Sequence, residues 1–153
     1  MTLSTAKTLT TGHVGLNVTD LDRSLTFYRT VFDFDVMAEG EEDDRRWAFL
    51  SRDGKLLLTL WQQSAGTFRT DTPGLHHLSF QVETMDEVTT AAEAVRGLGG
   101  EFSYDGVVPH GESGASGGIF FTDPDGTRLE IYAPSGADPA AAPTPGAPTC
   151  GFF

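Results

Sequence analysis

A ten-residue pattern occurs twice in this chain. His13-Val-Gly-Leu-Asn-Val-Thr-Asp-Leu-Asp22 aligns without a gap against His77-Leu-Ser-Phe-Gln-Val-Glu-Thr-Met-Asp86, 64 residues further on. Each copy starts with a histidine and then alternates apolar and polar residues, as a half-buried strand does. Each then reaches an aspartate of the kind that caps a helix. A duplication of this length restricts the chain to architectures built from two similar halves, each reading as strand then helix.

The segments after the two copies extend the repeat. Leu25, Phe27, Tyr28, Val31 and Phe32 form one apolar helical stripe, and Val88, Ala91, Ala92, Val95 and Leu98 form another. Gly97, Gly99 and Gly100 supply left-handed geometry at the end of the second helix, whereas Asp33 must take that role in the first. Further strands are predicted around Trp47 to Leu50 and Lys55 to Trp61, then around Gly118 to Thr122 and Thr127 to Tyr132. Arg52-Asp53-Gly54 and Pro124-Asp125-Gly126 stand at matching turns, because glycine accepts the positive φ that joins strands tightly. The expectation is an α+β fold of two βαβββ modules, about 11–63 and 75–134, in a domain over 11–134. An N-terminal tail covers 1–10, and an Ala/Pro/Gly-rich C-terminal tail covers 135–153.

The halves differ in one respect. His13 lies 40 residues before Asp53, but His77 lies 48 before Asp125. The extra residues are placed in the glycine-rich stretch from His110 to Gly118, which reads as a candidate lid. The tail after Pro134 carries few large apolar groups and reads as extended or disordered. Its end, Cys150-Gly-Phe-Phe153, carries two aromatics suited to docking into a groove or onto a partner subunit.

At 153 residues the chain has room for one core. No apolar run is long enough to span a membrane, and Met1 to Thr11 does not have the pattern of a secretory signal, so the cytoplasm is the expected location. The single cysteine, Cys150, excludes an internal disulfide or a thiolate metal cluster, so a bound metal would use nitrogen and oxygen donors. The formal net charge of −12 disfavours nucleic acid as a partner.

A histidine at the same place in each duplicated strand suggests that the two imidazoles converge, since pseudo-twofold packing brings equivalent positions toward one cleft. The pattern Gly12-His13-Val-Gly-Leu-Asn-Val-x-Asp-Leu-Asp-Arg-Ser-Leu-x-Phe-Tyr28, then His77-Leu-Ser-Phe-Gln-Val, then Phe121-Thr-Asp-Pro-Asp-Gly-Thr-Arg-Leu-Glu130-Ile-Tyr resembles the vicinal-oxygen-chelate superfamily of glyoxalases, bleomycin-resistance proteins and dioxygenases. The resemblance covers roughly residues 12 to 134.

That resemblance implies a cleft around a metal held by His13, His77 and Glu130. The fourth family position falls on Thr59, a poor ligand, so open positions are left for water, dioxygen or a chelating substrate. Two histidines and one carboxylate favour Fe(II), with Mn(II), Zn(II), Ni(II) or Co(II) as alternatives. His110 and Glu112 are the loop candidates for a catalytic base. His76 is expected to point away from His77 by strand alternation. Trp47, Phe49 and Trp61 line the cleft if they share the ligands' face, and otherwise belong to the core.

The implied activity is that of a divalent-metal-dependent enzyme acting on a small oxygen-rich or aromatic metabolite, with Fe(II)-type dioxygenase chemistry first. Phe120 stands where extradiol dioxygenases carry a tyrosine, and His110 lies just outside their usual spacing. The alternatives are a redox-neutral glyoxalase-like lyase or isomerase, an antibiotic-binding resistance protein without catalysis, and a thiol-transferase-like enzyme. The family's habit of pairing modules implies a homodimer, in which His13 and the His77–Glu130 pair come from different subunits.

Overall fold

The computed structural model describes residues 7–111 and 114–151. Its elements run in the order β1 (Val14–Val18), α1 (Leu21–Phe32), β2 (Asp35–Glu42), β3 (Arg45–Arg52), β4 (Lys55–Gln62), β5 (Leu78–Gln81), α2 (Met85–Gly97), β6 (Val108–Pro109), β7 (Gly117–Thr122) and β8 (Arg128–Ala133). The βαβββ order therefore occurs twice. Both sheets have the same topology, β1-β4-β3-β2 and β5-β8-β7-β6, with the repeat strand parallel to the last strand of its own half.

Local chemistry explains the boundaries. Asp33 ends α1 at φ 55, and Gly99 follows α2 at φ 72, both in the left-handed region that closes a helix. Asp53 and Gly54 are both at positive φ, 52 and 76, as a two-residue hairpin between β3 and β4 requires. The caps differ from expectation. Thr84 caps α2 in a reciprocal box with Glu87. Asp22 and Asp86 sit in the first helical turns, where a negative charge complements the helix dipole.

Contacts divide the chain into two compact units, 1–21 with 34–64, and 22–33 with 65–153. In the first, one face of the sheet buries Leu16, Val18, Ala48, Leu50, Leu58 and Leu60. The other face carries Gly15, Asn17, Thr59, Trp61, Phe49 and Trp47 in register. Trp47, Phe49 and Trp61 are thus on the face opposite the aliphatic core, with ring centroids 4.9–6.3 Å apart. Gly40 gives Trp47 room, because a Cβ there would lie 2.5 Å from the indole Cζ2.

The second unit contains both helices. α1 follows the first repeat strand in sequence, yet its aromatic stripe packs on the second sheet. Phe27 and Phe32 meet Phe121 at 6.2 and 6.1 Å, and Phe32 meets Phe80 at 4.8 Å. The Tyr28 hydroxyl donates to Asp123 Oδ2 at 2.7 Å. α2 adds Val88, Ala91, Ala92 and Val95 to this core.

Gly117 and Gly118 belong to β7 and not to a lid. A Cβ at Gly118 would fall 1.8 Å from the Ile131 carbonyl oxygen of the neighbouring strand β8, so this position accepts only glycine. The tail also departs from expectation. Ala137 N–H donates to Ala115 O at 2.8 Å, Pro139–Ala141 forms a 3₁₀ turn capped by Asp138, and Thr149 is buried.

Asp123 also accepts backbone N–H bonds from Asp125 and Thr127, both at 2.9 Å. Burial pushes its carboxyl pKa up, against the pull of these bonds; burial likewise pushes Tyr28 well above the usual phenol range, so the hydroxyl stays a donor. With the folded pKa above the unfolded one, Asp123 contributes stability that is present below about pH 4 and lost as the pH rises through the folded value. Tyr28→Phe strips the buried carboxylate of one donor. It is expected to cost about 1–3 kcal/mol at pH 7, and less near pH 4, as read by urea melts at the two pH values.

Candidate metal centre

His77 and His13 occupy equivalent places, each immediately before the first paired residue of its strand. Within the second unit, Glu130 is central in β8, opposite Ser79 of β5 and Phe120 of β7. Within the first, Thr59 stands opposite Gly15 of β1 and Phe49 of β3. Gly15 and Ser79 each come two residues after their histidine, so Thr59 holds the place of Glu130. Its hydroxyl accepts from Trp61 Nε1 at 3.0 Å, so an indole contact stands where the second half keeps a carboxylate. His13 is exposed.

Two imidazoles meet the Glu130 carboxylate, which is only 4% exposed. His110 Nε2 lies 2.5 Å from Oε2, and His77 Nε2 lies 3.5 Å from Oε1. An ionised carboxylate only accepts, so His110 donates from Nε2. Its Nδ1 lies 2.9 Å from the Ser116 hydroxyl, which donates to it when the ring is neutral. The backbone N–H of His110 donates to Ser116 O, also at 2.9 Å. The sequence suggests a mobile loop for this histidine. The structure instead pins it at both ring nitrogens and at the backbone. Glu112 lies outside the described residues.

The separation of 3.5 Å between His77 and Glu130 is longer than an ordinary hydrogen bond. Two ligands of one ion, with bonds of about 2.1 Å, stand roughly 3 to 3.4 Å apart. Burial holds the His77 imidazole below its usual pKa, partly offset by the Glu130 charge, which favours the neutral, ligating form. The pair fits a divalent ion in donor chemistry, at a spacing just above that range. Among the described residues, no group of three or more His, Cys, Asp or Glu side chains is arranged to hold an ion as it stands, so an ion at this pair would need a further donor.

His76 is not turned away. Its Nδ1 is 2.8 Å from His77 Nδ1, and its Nε2 is 2.9 Å from the Gly151 carbonyl. Alternation fails here because both histidines precede Leu78, where pairing begins. Sequence reasoning also missed Ser116, Tyr104 and Thr149, which act through contacts without periodicity. A cavity of about 630 Å³ lies elsewhere in the second unit, against Arg23, Phe27, Leu98 and Asp125. Among the described residues no helix is long and apolar enough to cross a membrane.

Two four-stranded sheets of this topology, each with its first strand parallel to its last, define an α+β fold of two βαβββ modules. The sequence matches the Glyoxalase/Bleomycin resistance protein/Dioxygenase superfamily over residues 10–131, and the chain belongs to that family. It is 27% identical over 125 residues to a catechol-2,3-dioxygenase of Bacillus subtilis (strain 168), covering 80% of this chain but only 40% of that protein's length. Among solved structures it is similar to a glyoxylase/bleomycin resistance protein/dioxygenase domain from Frankia sp. EAN1pec. The TM-score is 0.71 and the identity 28%, covering 84% of this chain and 99% of that one. A fosfomycin resistance protein, FosX, from Listeria monocytogenes, complexed with Mn(II), shares the fold at TM-score 0.63 and 22% identity, over 83% of this chain and 94% of that one.

Proposed function

We propose that this chain is a divalent-metal-dependent enzyme acting on a small oxygen-rich or aromatic metabolite, with Fe(II)-type dioxygenase chemistry as the leading reading. His13, His77 and Glu130 are the residues that would hold the metal. The observation that carries the reading is the approach of His77 Nε2 to 3.5 Å from one oxygen of the buried Glu130. Such an ion would supply Lewis-acid activation of a substrate bearing two adjacent oxygens.

The protein residues divide the remaining work. Glu130 is oriented by His110, the carboxylate requires the His110 proton on Nε2, and Ser116 Oγ stands 2.9 Å from the other ring nitrogen. That proton lies beside the carboxylate, so His110 is suited to hand it to, or recover it from, a group bound there. Glu112 is the second candidate base on the same loop. The dioxygenase name of the B. subtilis relative supports the oxidative reading over a redox-neutral lyase or isomerase. Trp47, Phe49 and the 38%-exposed Trp61 support a second reading, ligand sequestration without chemistry, since exposed aromatic patches mark binding surfaces.

Elemental analysis of anaerobically purified protein decides between them, with Fe(II), Mn(II), Zn(II), Ni(II) and Co(II) reconstitution beside a His13→Ala control. Near-stoichiometric metal in the wild type, lost in the variant, is expected, with oxygen uptake specific to iron. A wild type that takes up none of these metals would leave only sequestration.

A further inference from the structure

A chain of contacts through the candidate site begins and ends in the C-terminal tail. Thr149 N–H donates to the His110 carbonyl at 3.3 Å. His110 Nε2–H donates to Glu130 Oε2, Glu130 Oε1 faces His77 Nε2, and His77 Nδ1 meets His76 Nδ1. His76 Nε2 then returns to the tail at the Gly151 carbonyl, two residues from the start.

The tail is fixed well enough to act through this circuit. Thr149 is 2% exposed. Its hydroxyl donates to Pro109 O at 2.5 Å, and its carbonyl accepts from the Tyr104 hydroxyl at 2.6 Å. Upstream, Ala137 N–H grips Ala115 O on the far side of the His110 loop. The loop is therefore held at both ends by residues beyond β8.

Hydrogen-bond polarity gives the circuit a consequence. A carbonyl only accepts, so the Gly151 carbonyl requires a proton on His76 Nε2. In a neutral ring that leaves His76 Nδ1 as an acceptor, and His77 must donate to it from its own Nδ1. The lone pair of His77 is then on Nε2, aimed at the Glu130 oxygen 3.5 Å away. A lone pair facing a carboxylate does not close a hydrogen bond; it faces the position a cation would take between them.

We propose that His76 and the tail segment 148–151 are a positioning device for the metal centre, with His76 fixing the ligating tautomer of His77 and Thr149 fixing the seat of His110. The proposal rests on reading His77 and Glu130 as a ligand pair. It assigns to the tail a role in metal affinity, and by linkage the metal must tighten the tail by the same factor that the tail tightens the metal. Outer hydrogen bonds of this kind set the orientation and basicity of ligating histidines.

The test uses full-length protein and Mn(II) as the probe. Long-range ¹H–¹⁵N spectra of the histidine rings in metal-free protein read the tautomers directly. The wild type is expected to carry Nε2–H on His76 and Nδ1–H on His77. His76→Phe keeps a ring but removes both nitrogens; it should release the His77 tautomer and weaken Mn(II) binding about 10- to 100-fold. Thr149→Val should shift the His110 ring signals and weaken Mn(II), whereas Thr149→Ser, which keeps the hydroxyl, should restore both. Circular dichroism melts exclude simple unfolding of either variant.

The proposal is overturned if wild-type His77 carries its proton on Nε2, or if His76→Phe leaves the His77 tautomer and Mn(II) affinity unchanged. A wild type that binds no Mn(II) would count against the ligand pair, and the ring spectra of metal-free protein would still decide the positioning device separately.

Discussion

Glu130→Gln is expected to weaken divalent-metal binding by more than roughly 100-fold, beyond the range for losing an outer hydrogen bond, while leaving the metal-free fold at least as stable as the wild type. Both halves of this expectation come from the surroundings of one side chain. Glu130 is buried, with His110 Nε2 in close contact with one carboxylate oxygen and His77 Nε2 at 3.5 Å from the other. An amide cannot compensate the charge of an ion as a carboxylate does, so affinity falls. Without metal, a buried carboxylate carries a desolvation cost, and glutamine removes it. The amide oxygen still accepts from His110 Nε2–H, and the amide nitrogen can donate to the His77 lone pair. Mn(II) titration and melting of the metal-free protein check the two parts. A fall of several degrees in the metal-free melting temperature would make Glu130 a structural residue, and unchanged affinity would remove it from the ligand set.

The positions of this carboxylate and its histidine are legible in the sequence because strands have a period of two. Matching Leu60-Trp61 to Ile131-Tyr132 puts Thr59 opposite Glu130, and the pairing of Thr59 with Gly15 and of Glu130 with Ser79 gives the same correspondence. His76 escapes the same rule because it lies just outside the strand, where no ladder fixes the backbone. Ser116 lies 6 residues from His110, and Tyr104 lies 45 from Thr149. Contacts at such separations depend on how the chain turns between them, and no local pattern records that. The tail is hidden for a related reason: it has few large apolar side chains and is held by backbone and hydroxyl hydrogen bonds, to which hydropathy is blind.

The fold is legible wherever a local constraint has a single solution. Asp33 at positive φ and the Asp53-Gly54 turn are of that kind, because the helix end and the hairpin admit few alternatives. The surface against which the α1 stripe packs is not legible. Leu25, Phe27, Tyr28, Val31 and Phe32 establish an amphipathic helix, but an apolar face does not name its partner. In the structure the stripe packs on the second sheet, where Phe80 and Phe121 offer rings to Phe27 and Phe32, and Asp123 offers an acceptor to Tyr28.

Phe121→Ala tests that assignment with a large effect. The ring is 1% exposed and lies among rings of α1 and of the segment after α2, 6.2 Å from Phe27, 6.1 Å from Phe32 and 6.4 Å from Phe102. Truncating a buried phenylalanine to alanine costs about 3–5 kcal/mol, part in lost transfer energy and part in the cavity left behind. For a domain of this size that lowers the melting temperature by roughly 6–20 °C. The distribution of the loss matters more than its size. Amide hydrogen exchange should accelerate together in residues 22–33 and in β5, β7 and β8, because α1 shares their core. Amides of β3 and β4, whose buried face is built from Ala48, Leu50, Leu58 and Leu60, should keep more of their protection. If α1 retained protection while β7 and β8 lost it, the helix would draw its stability from elsewhere, and the division of the chain into these two units would be wrong.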